Sequence, residues 1–273
     1  MESKEQWILG DLEDAAMGVI RTELEERWVW IILNRPEKRN ALNSELTLEL
    51  DRQLAAYEEG VEPRVVIISG EGNAFCSGLD LEELKKMSGK SFAETLHDAR
   101  NYAQLLKRIY LHPKPIIAAV NGPAVAGGCG LASVCDLTIA ASTAKLGYTE
   151  AKIGFVPVIV SYFLVRIMGE KNAREILMTA RLMEAVEAQR LGLVNEVVEM
   201  GELRSRARAA ARQLSENSPY SLKLTKLLLA KLSAADLDEA LEYGCQLNAQ
   251  SRSAPDCVEG VTAFLEKRSP KWA

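Results

Sequence analysis

The chain has 273 residues, 48% of them hydrophobic, enough to bury one large core or one core with a helical appendage. Its formal net charge of -5 argues against a nucleic-acid partner, and no uninterrupted apolar stretch reaches the ~18 residues of a membrane helix. Five cysteines without a CxxC pair fit reduced thiols better than a disulfide framework, and the charged start Met1-Glu2-Ser3-Lys4-Glu5 lacks an apolar signal segment, so the cytoplasm is the expected location.

In chain order, 18–23 and Trp28 to Leu33 read as a strand pair. Leu42 to Glu58 reads as a helix, with Leu46, Leu50 and Leu54 on one face and Asn43 or Ser44 as its N-cap. Val65 to Ser69 is a buried strand closed by Gly70, followed by a loop of small residues and a helix starting at Leu81. The spacing then predicts a long helix over Ser91 to Leu111, stopped by His112-Pro113. Ile116 to Val120 and Leu137 to Ala140 are apolar runs suited to buried strands. Beyond Val158 the pattern is mainly helical, at Ile159 to Met168, Ala173 to Thr179 and Ala185 to Leu191, with Gly192 ending the third and a short strand at Leu193 to Val198. Leu203 to Glu266 reads as helices separated at Ser218-Pro219, Ser233 and Ala254-Pro255. Leu224, Leu227 and Leu228, with Ala230 and Leu232, form an apolar face that serves either intramolecular packing or a subunit contact.

Two strand–glycine-loop–helix units carry the chemistry. One is Ala74-Phe75-Cys76-Ser77-Gly78-Leu79-Asp80, and the other runs from Asn121-Gly122 through Gly127-Gly128-Cys129-Gly130 to Asp136. Glycines there let backbone N–H groups approach a ligand closely, and the first N–H groups of a helix have no internal acceptor. Such loops can each aim one N–H at a single oxygen that gains negative charge. Cys129 has no basic partner, since the chain's histidines are His97 and His112, and reads as a small buried thiol rather than a nucleophile. No P-loop, dinucleotide fingerprint, GxSxG elbow or metal-ligand spacing is present, so no metal is expected.

With Asn34-Arg35-Pro36-Glu37-Lys38-Arg39-Asn40-Ala41-Leu42-Asn43 and the tail Phe264-Leu265-Glu266-Lys267-Arg268, these loops give four motifs in order. Across nearly its whole length the chain resembles the crotonase superfamily, the enoyl-CoA hydratase/isomerase family. The resemblance implies an α/β fold, a crotonase-like spiral of ββα units with a C-terminal helical region. Residues 1–200 would form the spiral core with the CoA and acyl site, and 201–273 a helical oligomerisation region of a homotrimer or hexamer. It places two oxyanion donors at the backbone N–H groups of Leu79 and Gly127, and a catalytic carboxylate at Glu150. It places Arg39, Ala41, Leu42, Phe264 and Lys267 near coenzyme A, which would be part of the substrate rather than a separate cofactor.

Without the resemblance, Glu150 could equally be a helix-start glutamate on the surface, Phe264 a core residue, and Arg39 and Lys267 solvated charges. Phe155, Val156 and Ile159 suggest an apolar surround for Glu150, and Val156, Val158, Val160 and Leu79 an acyl pocket. The family's hydratases use two glutamates, and where the first would stand this chain has Gly130. One carboxylate suffices to move a proton between the α and γ carbons of an unsaturated acyl chain, so double-bond isomerisation ranks first. Hydration of a 2-enoyl-CoA, short-chain or methylglutaconyl-type, is the close alternative, with Asp80 or Glu83 as conceivable helpers, although Asp80 reads better as a helix cap. Decarboxylation, thioester hydrolysis and simple CoA or RNA binding on the same scaffold are the remaining readings.

Overall fold

The computed structural model describes residues 18–233, 237–253 and 255–269. The Met1-to-Glu5 start, the break after Ser233, Ala254 and the Leu232 side chain therefore lie outside the described residues.

Strands β1 (Ile20–Glu25) and β2 (Trp28–Leu33) form the expected antiparallel pair. Helix α1 (Ser44–Ala56) follows, its N-cap Asn43 accepting from the Leu46 N–H and its Leu46, Leu50 and Leu54 fully buried. Then come β3 (Val65–Gly70), α2 (Leu81–Lys86) and α3 (Phe92–Leu111), the last opened by a reciprocal Ser91–Glu94 capping box. From β4 (Ile116–Val120) the chain winds as a spiral: β5 (Ala124–Val125), α4 (Gly127–Ser133), β6 (Leu137–Ala141), β7 (Lys145–Gly147), α5 (Val158–Thr179), β8 (Leu182–Glu184), α6 (Ala185–Arg190) and β9 (Glu196–Val198). Helices α7 (Leu203–Ser215), α8 (Pro219–Ser233), α9 (Leu237–Arg252) and α10 (Pro255–Leu265) complete it.

Two sheets result. The larger has the order β1-β2-β3-β4-β6-β9, parallel from β2 onward, and the smaller is β5-β7-β8. The turns β4-β5-α4 and β6-β7-α5 each lay one strand in either sheet before their helix, as the ββα spiral requires. Isolated parallel bridges, Cys76 to Ala124 and Leu42 to Leu79, extend the small sheet back toward the N-terminal turns.

The central strands β2, β3 and β4 are buried on both faces, which is why they are continuous apolar runs rather than alternating ones. Val29, Ile31 and Leu33 face the main core with α1, α3 and α5, whereas Trp28, Trp30 and Ile32 face Leu203, Ala207, Ala210 and Ala211 of α7. Thus α7, past residue 200, is the cover of the sheet's second face.

The two helices expected between Ile159 and Thr179 are present as two segments of α5, parted at Gly169, whose φ of 75° and ψ of 157° no helix allows. Other elements differ from expectation. The strand expected at Leu193 to Val198 shrinks to β9, because the N–H groups of Leu193 and Val194 both turn back to the Ala188 carbonyl. On α8, Ala230 is buried while Leu224, Leu227 and Leu228 remain 44%, 42% and 57% exposed, so among the described residues that face is only partly covered.

Candidate active site

The two glycine loops meet. The extension of β3 into Phe75 and Cys76 hydrogen-bonds the turn before β5, Phe75 N–H to Pro123 O at 3.1 Å and Val125 N–H to Cys76 O at 2.9 Å. On its other edge, Leu42 N–H donates to Gly78 O (2.7 Å) and Asp80 N–H to Leu42 O (2.9 Å). A parallel bridge of this kind uses the carbonyl before Leu79 and the N–H after it. The Leu79 N–H is left on the opposite edge, facing the second loop.

Contact there is backbone to backbone. A Cβ on Gly128 would lie 2.1 Å from the Cys76 carbonyl oxygen, and one on Gly78, whose φ is +88°, would lie 3.7 Å from the Gly127 nitrogen. Gly127 is the first residue of α4, so its N–H has no acceptor inside the helix. Among the described residues neither the Leu79 nor the Gly127 N–H meets a backbone acceptor. Ala126 between the loops has φ 51° and ψ -122°, a strained backbone for a residue with a Cβ, and its N–H is anchored on Gly147 O at 2.8 Å.

That anchor brings the end of β7 alongside α4, and Glu150 lies three residues further on, at the first position of a 3-10 turn, Glu150–Ile153. Its Oε2 is buried without a hydrogen-bond partner. Burial pushes this carboxyl from 4.5 up to about 7, against the smaller opposing pull of its own N–H. Of the residues expected to give it an apolar surround, Phe155 and Ile159 are buried, whereas Val156 is 45% exposed. Leu79, half-buried, packs in one cluster with Phe155, Leu84 and Cys257, and Val160 is buried against Gly130.

Position 130 has no room for a side chain. A Cβ there would stand 2.4 Å from the Tyr102 Oη and 2.6 Å from Val160 Cγ1. Tyr102 also donates to the Gly127 carbonyl at 2.6 Å. No signal in the sequence singled out Tyr102, because its place in α3 beside Ala99, Ala103, Leu105 and Leu106 reads as an ordinary core position.

Neither conceivable helper is free. Asp80 caps α2 through the Glu82 N–H and pairs with Arg35 at 2.7 Å. Burial works to raise its carboxyl, but the Glu82 N–H and the Arg35 guanidinium outweigh it and hold it below the usual range. Glu83 pairs with Lys90 and Lys86, both at 3.5 Å.

The segment around Arg39, Ala41 and Leu42 adjoins the first loop, with Ser77 N–H on Arg39 O at 3.0 Å. Buried Asn40 staples it down by donating to the Glu71 and Ala74 carbonyls. Arg39 is exposed, whereas Ala41 and Leu42 are buried. Helix α10 packs on the turn that carries Glu150, a Cβ on Gly260 reaching within 2.3 Å of the Ile153 carbonyl carbon. Phe264 in its last turn and Lys267 just beyond it are exposed.

Cys129 is fully buried, and burial pushes its thiol up to about 12. We expect it to resist alkylation in the folded protein, and Cys129→Ala to hold kcat within about threefold. A thiol titration of native protein and a rate measurement check this; a 100-fold loss in Cys129→Ala would restore the nucleophile reading.

Among the described residues no cluster of His, Cys, Asp or Glu is arranged to hold a metal ion, and no helix is long and apolar enough to cross a membrane.

The sequence model of the enoyl-CoA hydratase/isomerase family matches residues 24–273. A Thermus thermophilus protein provisionally named an enoyl-CoA hydratase is 44% identical, over 89% of this chain and 96% of its own length. The short-chain-enoyl-CoA hydratase of Clostridium acetobutylicum is 36% identical, over 90% and 94%. Among solved structures, an enoyl-CoA hydratase/isomerase from Xanthobacter autotrophicus superposes with a TM-score of 0.84 at 33% identity, over 91% of this chain and 93% of that one.

Proposed function

Because the chain belongs to the enoyl-CoA hydratase/isomerase family and is an enzyme of that kind, we propose that it acts on an unsaturated acyl-CoA thioester, with the Leu79 and Gly127 N–H groups as oxyanion donors and Glu150 as its single acid–base. Double-bond isomerisation is the reaction this geometry supports best. One observation carries the reading: Glu150 holds a buried carboxylate oxygen, Oε2, without a partner, while position 130 has neither a side chain nor space for one.

The chemistry balances with one carboxylate. With a 3-enoyl thioester bound, ionised Glu150 removes a proton from the α carbon, and the electron pair passes into a dienolate whose charge rests on the thioester oxygen. Two preorganised donors stabilise that oxygen, each worth about 3–4 kcal/mol in comparable sites. The Glu150 carboxylic acid then returns the proton to the γ carbon. The 2-enoyl thioester leaves and the enzyme is as it began. A carboxyl titrating at about 7 is suited to both halves of the transfer.

Hydration of a 2-enoyl-CoA is the second reading, and the names of the relatives favour it. It needs a group to activate water at the β carbon, and the nearby acids Asp80 and Glu83 are committed to Arg35 and to Lys90 and Lys86. Arg39, Ala41 and Leu42 support the carrier from beside the first loop. Phe264 and Lys267, exposed at the end of α10, suit an adenine and a phosphate held against a neighbouring subunit. The exposed leucines of α8 support assembly into a homotrimer or hexamer.

The test offers purified protein 3-enoyl-CoA and 2-enoyl-CoA separately. Conversion of the 3-enoyl to the 2-enoyl thioester outpacing water addition is the expected result, and the reverse order puts hydration first. Turnover of neither substrate, with Glu150→Gln altering no other acyl-CoA reaction, overturns the single-carboxylate mechanism.

A further inference from the structure

We propose that Tyr102 is a positioning residue of this site: its hydroxyl occupies the space that a side chain at position 130 would need, and its bond to the Gly127 carbonyl holds the first turn of α4 so that the Gly127 N–H keeps its aim. The inference rests on the oxyanion reading of Gly127 given above. Three distances converge on one oxygen. The Tyr102 Oη lies 2.6 Å from Gly127 O, to which it donates, 2.4 Å from where a Cβ on Gly130 would be, and 3.3 Å from where one on Gly127 would be; its Cζ is 3.7 Å from the Gly130 position. The clash at position 130 on the tyrosine side is thus with the hydroxyl, and the ring carbon behind it is at ordinary contact distance.

A seven-residue helix that opens on two glycines has little propensity of its own to hold a first turn. Gly127 and Gly128 have no side chains with which to hold the turn, and Ala126 before them is strained. Besides the backbone contact of Gly128 with Cys76, a hydrogen bond to Gly127 O from a long, well-packed helix is a restraint that such a turn can use. Tyr102 can supply it because α3 spans Phe92–Leu111 and buries Ala99, Ala103, Leu105 and Leu106 around it. Burial first, then the neighbouring Cys76, Glu150 and Cys129, hold its phenol well above the ordinary value, so it remains a donor across the working pH range. Gly130 and Tyr102 are therefore one device. The glycine makes room for the hydroxyl, and the hydroxyl takes the volume that a second acid would have used.

The test is a four-protein cycle of the full chain: wild type, Tyr102→Phe, Gly130→Ala and both together. Each is measured for Tm, for kcat and KM on an enoyl-CoA substrate, and for the enolate absorbance of bound acetoacetyl-CoA. The last reads charge on the thioester side without turnover, so it answers even if the reaction is not isomerisation. Tyr102→Phe is expected to lower kcat about three- to tenfold with KM unchanged, and to reduce the bound enolate fraction, from the loss of one hydrogen bond. Gly130→Ala is expected to lower Tm, and to lower it less when the hydroxyl is already gone. Unchanged kcat and enolate absorbance in Tyr102→Phe would overturn the positioning role. An equal loss of Tm from Gly130→Ala in both backgrounds would overturn the shared-space role.

Discussion

Glu150→Gln lowers turnover of the enoyl-CoA substrate by about 10²- to 10⁴-fold, the range of a lost general acid–base, and at the same time makes the protein more stable above neutrality. Both results follow from one cause. The Glu150 carboxyl is buried with Oε2 unpartnered, and its folded-state value of about 7 stands above its ordinary 4.5. As a base it must be ionised, so kcat/KM in the wild type rises with pH and levels off above about 7. For stability the sign is opposite. The folded protein holds this proton more tightly than the unfolded chain, so the stability linked to it is present below 4.5 and is lost as pH climbs toward 7. A neutral glutamine escapes that loss, although its amide is also buried, and the gain expected at pH 8 is about 1–3 kcal/mol, shrinking to nothing at pH 4. Rates at several pH values and melting curves at pH 4 and pH 8 check the pair. A glutamine variant that is both inactive and less stable at pH 8 would mean that Glu150 is structural.

Gly128→Ala is expected to remove more than about 10² of the activity, the cost of losing one oxyanion donor, and about 1–3 kcal/mol of stability. The added Cβ would stand 2.1 Å from the Cys76 carbonyl oxygen and 2.7 Å from its carbon. Both atoms are backbone, and both belong to a ladder that bonds Val125 and Pro123. Neither can rotate away, so the loops must part, and Leu79 moves relative to Gly127. Gly201→Ala is the control, since a Cβ there meets nothing within 4 Å; its effect should stay within about 0.5 kcal/mol. Steady-state kinetics and urea midpoints of the two variants decide it. A Gly128→Ala protein with wild-type kinetics would show that the two loops do not act together.

Much of this architecture was written in local pattern. Val65 to Gly70 and Ile116 to Val120 could be read as central strands because a sheet covered on both faces needs unbroken apolar runs. Asn43, Asp80 and Ser91 marked helix starts because a side-chain oxygen beside free N–H groups is a local event. The glycine loops announced themselves, since only glycine tolerates backbone at contact distance.

What stayed hidden depends on partners far apart in the chain. Ala124–Val125, Lys145–Gly147 and Leu182–Glu184 are strands of two or three residues, too short to show a period, and they exist because each pairs with the next in the small sheet. That Asp80 is bound to Arg35, 45 residues away, removed it from the list of possible acids. Glu150 carries the same side chain on a surface as in a pocket, and only the packing of helices such as α5 and α10 around its turn withholds water from it and lifts its proton affinity. The buried strands, the caps and the two glycine loops were therefore legible in the chain itself, because these answer to neighbours along it. Tertiary structure decided the proton affinity at Glu150 and the occupancy of the space beside Gly130, because solvation and excluded volume are properties of what surrounds a group in three dimensions.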